Sequence, residues 1–244
     1  MTLPNAEGMS AEALVEWALE NYGQRFAVCT SFQAEGMVIV DIAARLSPRV
    51  RVFTIDTGRL PGETYEVIEQ VRERYGIGVE VVFPDHGEVE RMTTGHGVNL
   101  FYKDVALRKL CCHVRKVRPL ERKLKEFDAW AVGLRRGQSE ERAGIQKLEE
   151  VDGRVKLSPL ADWSMYQVEE YLNRHNVPRH ALEGKGYPSI GCAPCTRAVN
   201  QGEDLRAGRW WWEQDGGKEC GLHVTPTGEM KRNLDVLLED ILVG

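Results

Sequence analysis

No stretch of this sequence is apolar for long enough to cross a bilayer, and its N-terminus lacks the basic-then-apolar pattern of a secretory leader. Those two gaps lead us to expect a cytosolic protein with no membrane partner. A surplus of positive charge is missing too. The formal net charge is −5 at pH 7, which argues against a general nucleic-acid binder. There is no internal repeat and no low-complexity tract, so repeat architectures and disordered classes fall away. The lysine-bearing GxxxxGK phosphate loop is absent as well. What remains is an ordinary globular composition, 42% hydrophobic and 28% charged over 244 residues. That length suits one large domain, or one domain with a short appendage.

Short apolar runs alternate with helical patterns through the first two thirds. Ser10 can cap a helix that carries Leu14, Val15, Ala18, Leu19 and Tyr22 on one face and ends at Gly23. Strands are expected at 26–30, 50–55, 79–83 and 129–132, with helices over 35–45, 64–74 and 105–126. Asp152-Gly153 predicts a small hairpin near a sheet edge, and 164–173 reads as a capped helix. This order implies an α/β fold with a mostly parallel twisted sheet and helices on both faces. Glycine and proline become frequent after Gly184, and the division we expect is 1–200 as the main domain and 201–244 as a loop-rich C-terminal segment.

Cysteine is scarce, but five of the six residues fall in a pattern. Cys111 and Cys112 are adjacent, Cys192 and Cys195 form a CxxC, and Cys220 stands alone with His223 three residues on. Cys29 lies in an apolar run and needs no chemistry. A cytosolic four-cysteine set holds one zinc or an iron–sulfur cluster. Adjacent side chains diverge, which is awkward around one ion and natural around separate iron corners. The plainer alternatives are a vicinal pair of buried thiols and an unrelated CxxC turn or redox pair.

Three strand ends carry polar residues to the carboxyl edge of the expected sheet, where open α/β folds bind ligands. Thr30-Ser31-Phe32-Gln33-Ala34-Glu35 opens a helix, whose unsatisfied N–H groups favour an anion. Asp56-Thr57-Gly58-Arg59 ends the second strand, and Gly133-Leu134-Arg135-Arg136 the fourth. The region 103–125 holds nine Lys or Arg against two acids, so a local anion site is expected there. A lone thiol such as Cys220 is more often an ordinary surface group; as a nucleophile it would need nearby cations, and Lys116, Arg206 and Arg209 are candidates.

Four segments in this order resemble the iron–sulfur sulfonucleotide reductases that act on adenylyl sulfate. They are Cys111-Cys112-His113-Val114-Arg115-Lys116, Gly191-Cys192-Ala193-Pro194-Cys195-Thr196-Arg197, Arg206-Ala207-Gly208-Arg209-Trp210-Trp211-Trp212 and Glu219-Cys220-Gly221-Leu222-His223. The resemblance runs from about Phe26 to Asn233. It implies an adenine-nucleotide α-hydrolase-like fold and a [4Fe–4S] cluster on Cys111, Cys112, Cys192 and Cys195. It also implies that Cys220 is the nucleophile, with His223 beside it, and that adenosine 5′-phosphosulfate (APS) is the substrate. Lys116, Arg142, Arg206 and Arg209 would hold the phosphosulfate, Ser31–Glu35 and Asp56–Arg59 the adenosine and 5′-phosphate side. Reduced thioredoxin or a glutaredoxin would release sulfite. Ser139-Glu140-Glu141-Arg142 departs from the family's Ser-Pro-Thr-Arg, and Gln33 stands where Gly is common. The rival expectations are an enzyme that prefers the 3′-phosphorylated substrate (PAPS) or takes both, an ATP pyrophosphatase of the tRNA-modifying kind, and a non-catalytic iron–sulfur sensor.

Overall fold

The computed structural model describes residues 3–213 and 237–239. Cys220, His223 and most of the C-terminal segment expected from 201 onward lie outside the described residues. The chain divides into two compact units. The first takes the described residues of Met1–Thr54 with Pro61–Val81 and Leu124–Gly186; the second takes Ile55–Leu60, Val82–Lys123 and the described residues of Tyr187–Gly244.

A six-stranded sheet carries the first unit: β1 (Phe26–Cys29), β2 (Arg51–Ile55), β3 (Val79–Val82), β4 (Ala129–Val132), β5 (Leu148–Val151) and β6 (Arg154–Leu157). The spatial order is β3-β2-β1-β4-β6-β5. β1 runs parallel to β2 and β4, β4 parallel to β6, and β5 is antiparallel to β6. The Asp152-Gly153 hairpin expected at an edge is there, with Asp152 and Gly153 at positive φ. Strands built of consecutive apolar residues suit a sheet covered on both faces. Val28 and Val52 point into one core while Ala27 and Phe53 on the alternate face are equally buried.

Helices α1 (Ala11–Tyr22), α2 (Ala34–Leu46), α3 (Gly62–Tyr75) and α7 (Met165–Arg174) belong to this unit. Ser10 caps α1 through Ala13 N–H, and Ser164 caps α7 through a reciprocal box with Gln167, each satisfying donors the helix leaves open. α2 is apolar nearly all round, as a buried helix must be. Its one core acid, Asp41, accepts from Tyr75 Oη at 2.8 Å and Tyr171 Oη at 2.7 Å, which ties α2 to α3 and α7.

The second unit holds α4 (His86–His96), α5 (Val105–Cys112) and α6 (Arg118–Leu124). α4 was not expected from the sequence, although Asp85 caps it through Glu88 N–H at 3.0 Å. The continuous helix expected over 105–126 is interrupted by a π-helical turn, His113–Val117. Pro119 follows this turn and has no N–H to give the carbonyl of Arg115.

Candidate functional site

The π turn follows the adjacent cysteines directly. Asp104 starts α5 by accepting Leu107 N–H at 2.8 Å, and the helix delivers Cys111 and Cys112 at its last two positions. The opposing pair sits on a single 3-10 turn, Ala193–Cys195. Cys195 N–H donates to Cys192 O at 2.9 Å, and the Thr196 hydroxyl closes the turn by donating to Cys192 O and accepting from Gly191 N–H. A third segment completes the frame. Ala193 N–H donates to Arg59 O at 2.8 Å, and Thr57 Oγ1 lies 3.2 Å from Cys192 Sγ.

All four cysteines line one pocket together with Arg59, Phe101, Arg108, Arg115, Lys116 and Pro194. Among the described residues no three His, Cys, Asp or Glu side chains converge on the position of a single ion. Burial pushes the Cys111 thiol up, with Arg115 opposing and Cys192 adding to the rise. Cys195 is pushed up to about 12 by burial and then by Cys192, against Lys116. Thiols in so dry a place become thiolates only with positive charge beside them.

That charge is fixed in place. Arg115 donates through Nη1 to Thr57 O at 2.7 Å. Arg59 donates to Val98 O and Asn99 Oδ1 while its guanidinium lies over the Phe101 ring. Arg108 forms a two-point ion pair with Glu213, Nε to Oε1 at 2.8 Å and Nη2 to Oε2 at 2.9 Å, and also bonds Cys112. Trp210 holds guanidinium groups over its ring, Arg108 at 4.4 Å and Arg209 at 4.6 Å. Two buried donors here, Arg115 Nε and Trp210 Nε1, have no acceptor among the described residues.

Several expected site residues also make contacts within the protein. Asp56–Arg59, read as a nucleotide loop, builds the wall of the cysteine pocket: Asp56 is buried and accepts Gly58 N–H at 2.7 Å, while Thr57 and Arg59 face the cysteine turn. The Arg209 guanidinium is packed over Gly191, where any Cβ would collide with it, and donates to Ile190 O at 3.3 Å. It therefore packs against the segment that leads into the cysteine turn. Arg206 is half-buried, its N–H donating to Asp204 Oδ1 at 2.8 Å.

The loops of the first unit divide likewise. Phe32 and Ala34 send their side chains into the core, so any part they play in binding falls to their backbone. Ser31 is exposed and accepts from Gln33 Nε2 at 2.7 Å. Gly133 passes so close to α2 that a Cβ would lie 2.8 Å from Gly36 N. Arg135 is turned inward onto Glu35, Nε to Oε1 at 2.8 Å, and Arg136 binds Ile145 O and Glu7. Arg142, also buried, donates to Gln138 Oε1 at 2.6 Å, and Gln138 Nε2 donates in turn to Glu35 at 3.0 Å. Sequence reading missed Arg108, Arg115, Gln138 and Glu213. Helical spacing could have found two of them, since Arg108 is four residues before Cys112 and Arg115 four after Cys111.

The family profile described as "Phosphoadenosine phosphosulfate reductase domain" matches residues 25–198. An adenosine 5′-phosphosulfate reductase of Burkholderia cepacia is 46% identical over 208 residues, covering 84% of this chain and 83% of its own. One from Allochromatium vinosum is 46% identical over 224 residues, 91% and 87% of the two chains. Among solved structures, phosphoadenylyl-sulfate reductase from Candida auris in a phosphate complex superposes with a TM-score of 0.68 at 25% identity, covering 82% of this chain and 99% of that one. Yeast FAD synthetase shares the fold alone, with a TM-score of 0.53 at 15% identity over 77% of this chain and 66% of that one. Among the described residues no helix is long and apolar enough to cross a membrane.

Proposed function

Because the chain belongs to the phosphoadenosine phosphosulfate reductase family, we propose that it is a cytoplasmic oxidoreductase that converts APS to sulfite and AMP in sulfate assimilation. The observation that carries this reading is the pocket where Cys111, Cys112, Cys192 and Cys195 meet a ring of cations. Its residues fit a [4Fe–4S] cluster. Four sulfurs spread around a pocket suit several iron corners, and ligated thiolates give Arg59, Arg108, Arg115 and Lys116 a charge to balance. Iron-bound sulfur would also give Arg115 Nε, on the pocket wall, the acceptor it lacks. When bound, such a cluster would hold and polarise Lys116.

The nucleophile in this reading is Cys220, in the segment 201–244. Its thiolate forms a bond to the sulfate sulfur as the sulfur–oxygen bond to the 5′-phosphate breaks, and AMP leaves with that electron pair. A phosphate is already a good leaving group, so the protein's work is alignment and charge neutralisation. Within the second unit we assign this to Lys116, Arg206 and Arg209, and within the first to Arg142. Each charge-assisted contact is worth roughly 1.5–3 kcal/mol. The adenosine side falls to Ser31–Glu35 and Gly133–Arg136. The S-sulfonate on Cys220 is then attacked by a thiolate of reduced thioredoxin or glutaredoxin. Sulfite departs, a mixed disulfide forms, and the partner's second thiol releases Cys220. Sulfur gains the two electrons that the dithiol loses.

Incubating anaerobically purified protein with APS, and separately with PAPS, without any reductant tests this. A sulfonate mapped to Cys220 with APS is the expected result. Equal labelling by PAPS, which the family description and the Candida auris neighbour bring into question, would make it a dual-specificity enzyme. No label from either in protein with its iron intact would refute the mechanism.

A further inference from the structure

α2 begins without a cap of its own: Gln33 at the N-cap makes no side-chain bond to the first turn. The cap arrives from 149 residues away, where Glu183 Oε1 accepts the N–H of Ala34 at 2.8 Å. A second carboxylate, Glu35, lies in that first turn, but the two are treated differently. Glu35 is neutralised by Arg135 and bonded by Gln138. Glu183 has no ion pair among the described residues. Arg179, Glu169 and Glu35 act on it only through space, and burial outweighs them in pushing its carboxyl up to about 7.

The place matters because of the strand order. β1 is flanked by β2 on one side and β4 on the other, so the chain leaves the two strands in opposite directions. This is the switch point at which open α/β sheets bind ligands beyond the carboxyl ends of the strands. The loop after β1 and the loop after β4 bound it, and Gly133 packs on the first turn of α2. A helix start normally offers its N–H groups to a phosphate. Here one is already taken by the Glu183 carboxyl group, which once ionised, above about pH 7, accepts hydroxyl donors and repels anions. The same logic separates dinucleotide sites, where an acid selects an unphosphorylated ribose and an arginine admits a phosphorylated one.

We propose that Glu183 is a specificity-determining residue that accepts a ribose hydroxyl of the nucleotide and rejects a phosphate at that position. The inference rests on the reductase reading above, and it sets a ribose hydroxyl at the start of α2. Calorimetric titration of the full chain with AMP and with adenosine 3′,5′-bisphosphate at about pH 8.5, where Glu183 is ionised, tests it. The native protein should bind AMP at least about tenfold more tightly, since a charge–charge penalty of about 1.4 kcal/mol is a factor of ten. Glu183→Gln keeps an oxygen to accept Ala34 N–H and should narrow the ratio to about threefold or less. Glu183→Ala, which removes cap and charge together, should narrow it equally. A ratio unchanged in both variants overturns the role of Glu183 while leaving AMP binding intact. Failure of the native protein to bind either nucleotide would instead overturn the reductase reading.

Discussion

Replacing Glu213 by Gln removes one charge from a pair that is almost wholly out of water, with side chains 1% (Arg108) and 6% (Glu213) exposed. Breaking a buried pair by deleting one partner costs about 3–5 kcal/mol, because the remaining ion is left in a dry place. Two features reduce that here. The amide oxygen of Gln can still accept one guanidinium bond, and Trp210, 4.4 Å from the Arg108 guanidinium, offers its ring face, worth up to about 2 kcal/mol when desolvated. A net loss of about 2–3 kcal/mol follows. At roughly 2–4 °C per kcal/mol for a chain of this size, Tm should fall by about 4–12 °C in a circular-dichroism melt. The control is Glu203→Gln, which breaks an equally well-aligned two-point pair with Arg197 whose side chains are 33% and 30% exposed. Water compensates that loss, so its Tm should stay where it is. A Glu213→Gln melt within about 2 °C of the native protein, or one matched by Glu203→Gln, would refute the argument that burial gives the Arg108–Glu213 pair its strength.

Two other expectations concern the cysteine turn and the start of α2. Thr57→Val deletes the hydroxyl 3.2 Å from Cys192 Sγ at nearly constant volume, and losing an outer partner of a ligand costs about 10–100-fold in metal affinity. Iron per chain after anaerobic purification and chelator challenge should therefore drop well below the native value, while Thr57→Ser retains it. The Glu183 carboxyl titrates at about 7 in the fold against an ordinary 4.5, so the folded protein holds a proton that the unfolded chain releases between those values. Its contribution to stability is full below about 4.5 and is lost as pH rises through about 7. The gap sets a ceiling of about 3 kcal/mol, and partial exposure brings it to about 1–2. Glu183→Gln should melt progressively higher than the native protein between pH 5 and 8, and a constant difference across that range would contradict the shift.

Strand and helix placement was legible in the sequence wherever periodicity and caps agreed. Phe26–Cys29, the Asp152-Gly153 hairpin and the Ser164 cap follow from local chemistry alone. The long basic helix did not, because its apolar rhythm runs on through Pro119 and gives no sign of the π turn before it. The cysteine pocket could be anticipated from spacing, but its frame could not. Thr57 and Arg59 sit on a strand end that reads as a ligand loop, and only the folded chain brings them against Cys192 and Ala193. Likewise an arginine in a sequence carries no sign of which part of the fold it packs against. Arg135 pairs with Glu35, and Arg209 packs over Gly191.

A π turn contains one residue more than the α turn it replaces, so His113–Val117 acts as a single-residue insertion whose downstream helix is rotated by about 100°. The backbone bond across it spans five residues instead of four, from Arg118 N–H to His113 O. A relative lacking this turn would align best with one gap inside the segment, and a gapless alignment would set its lysine opposite the wrong residue. The number of residues between the adjacent cysteines and the following proline is thus a length to be counted when chains are compared, because it fixes the rotational phase of the basic helix.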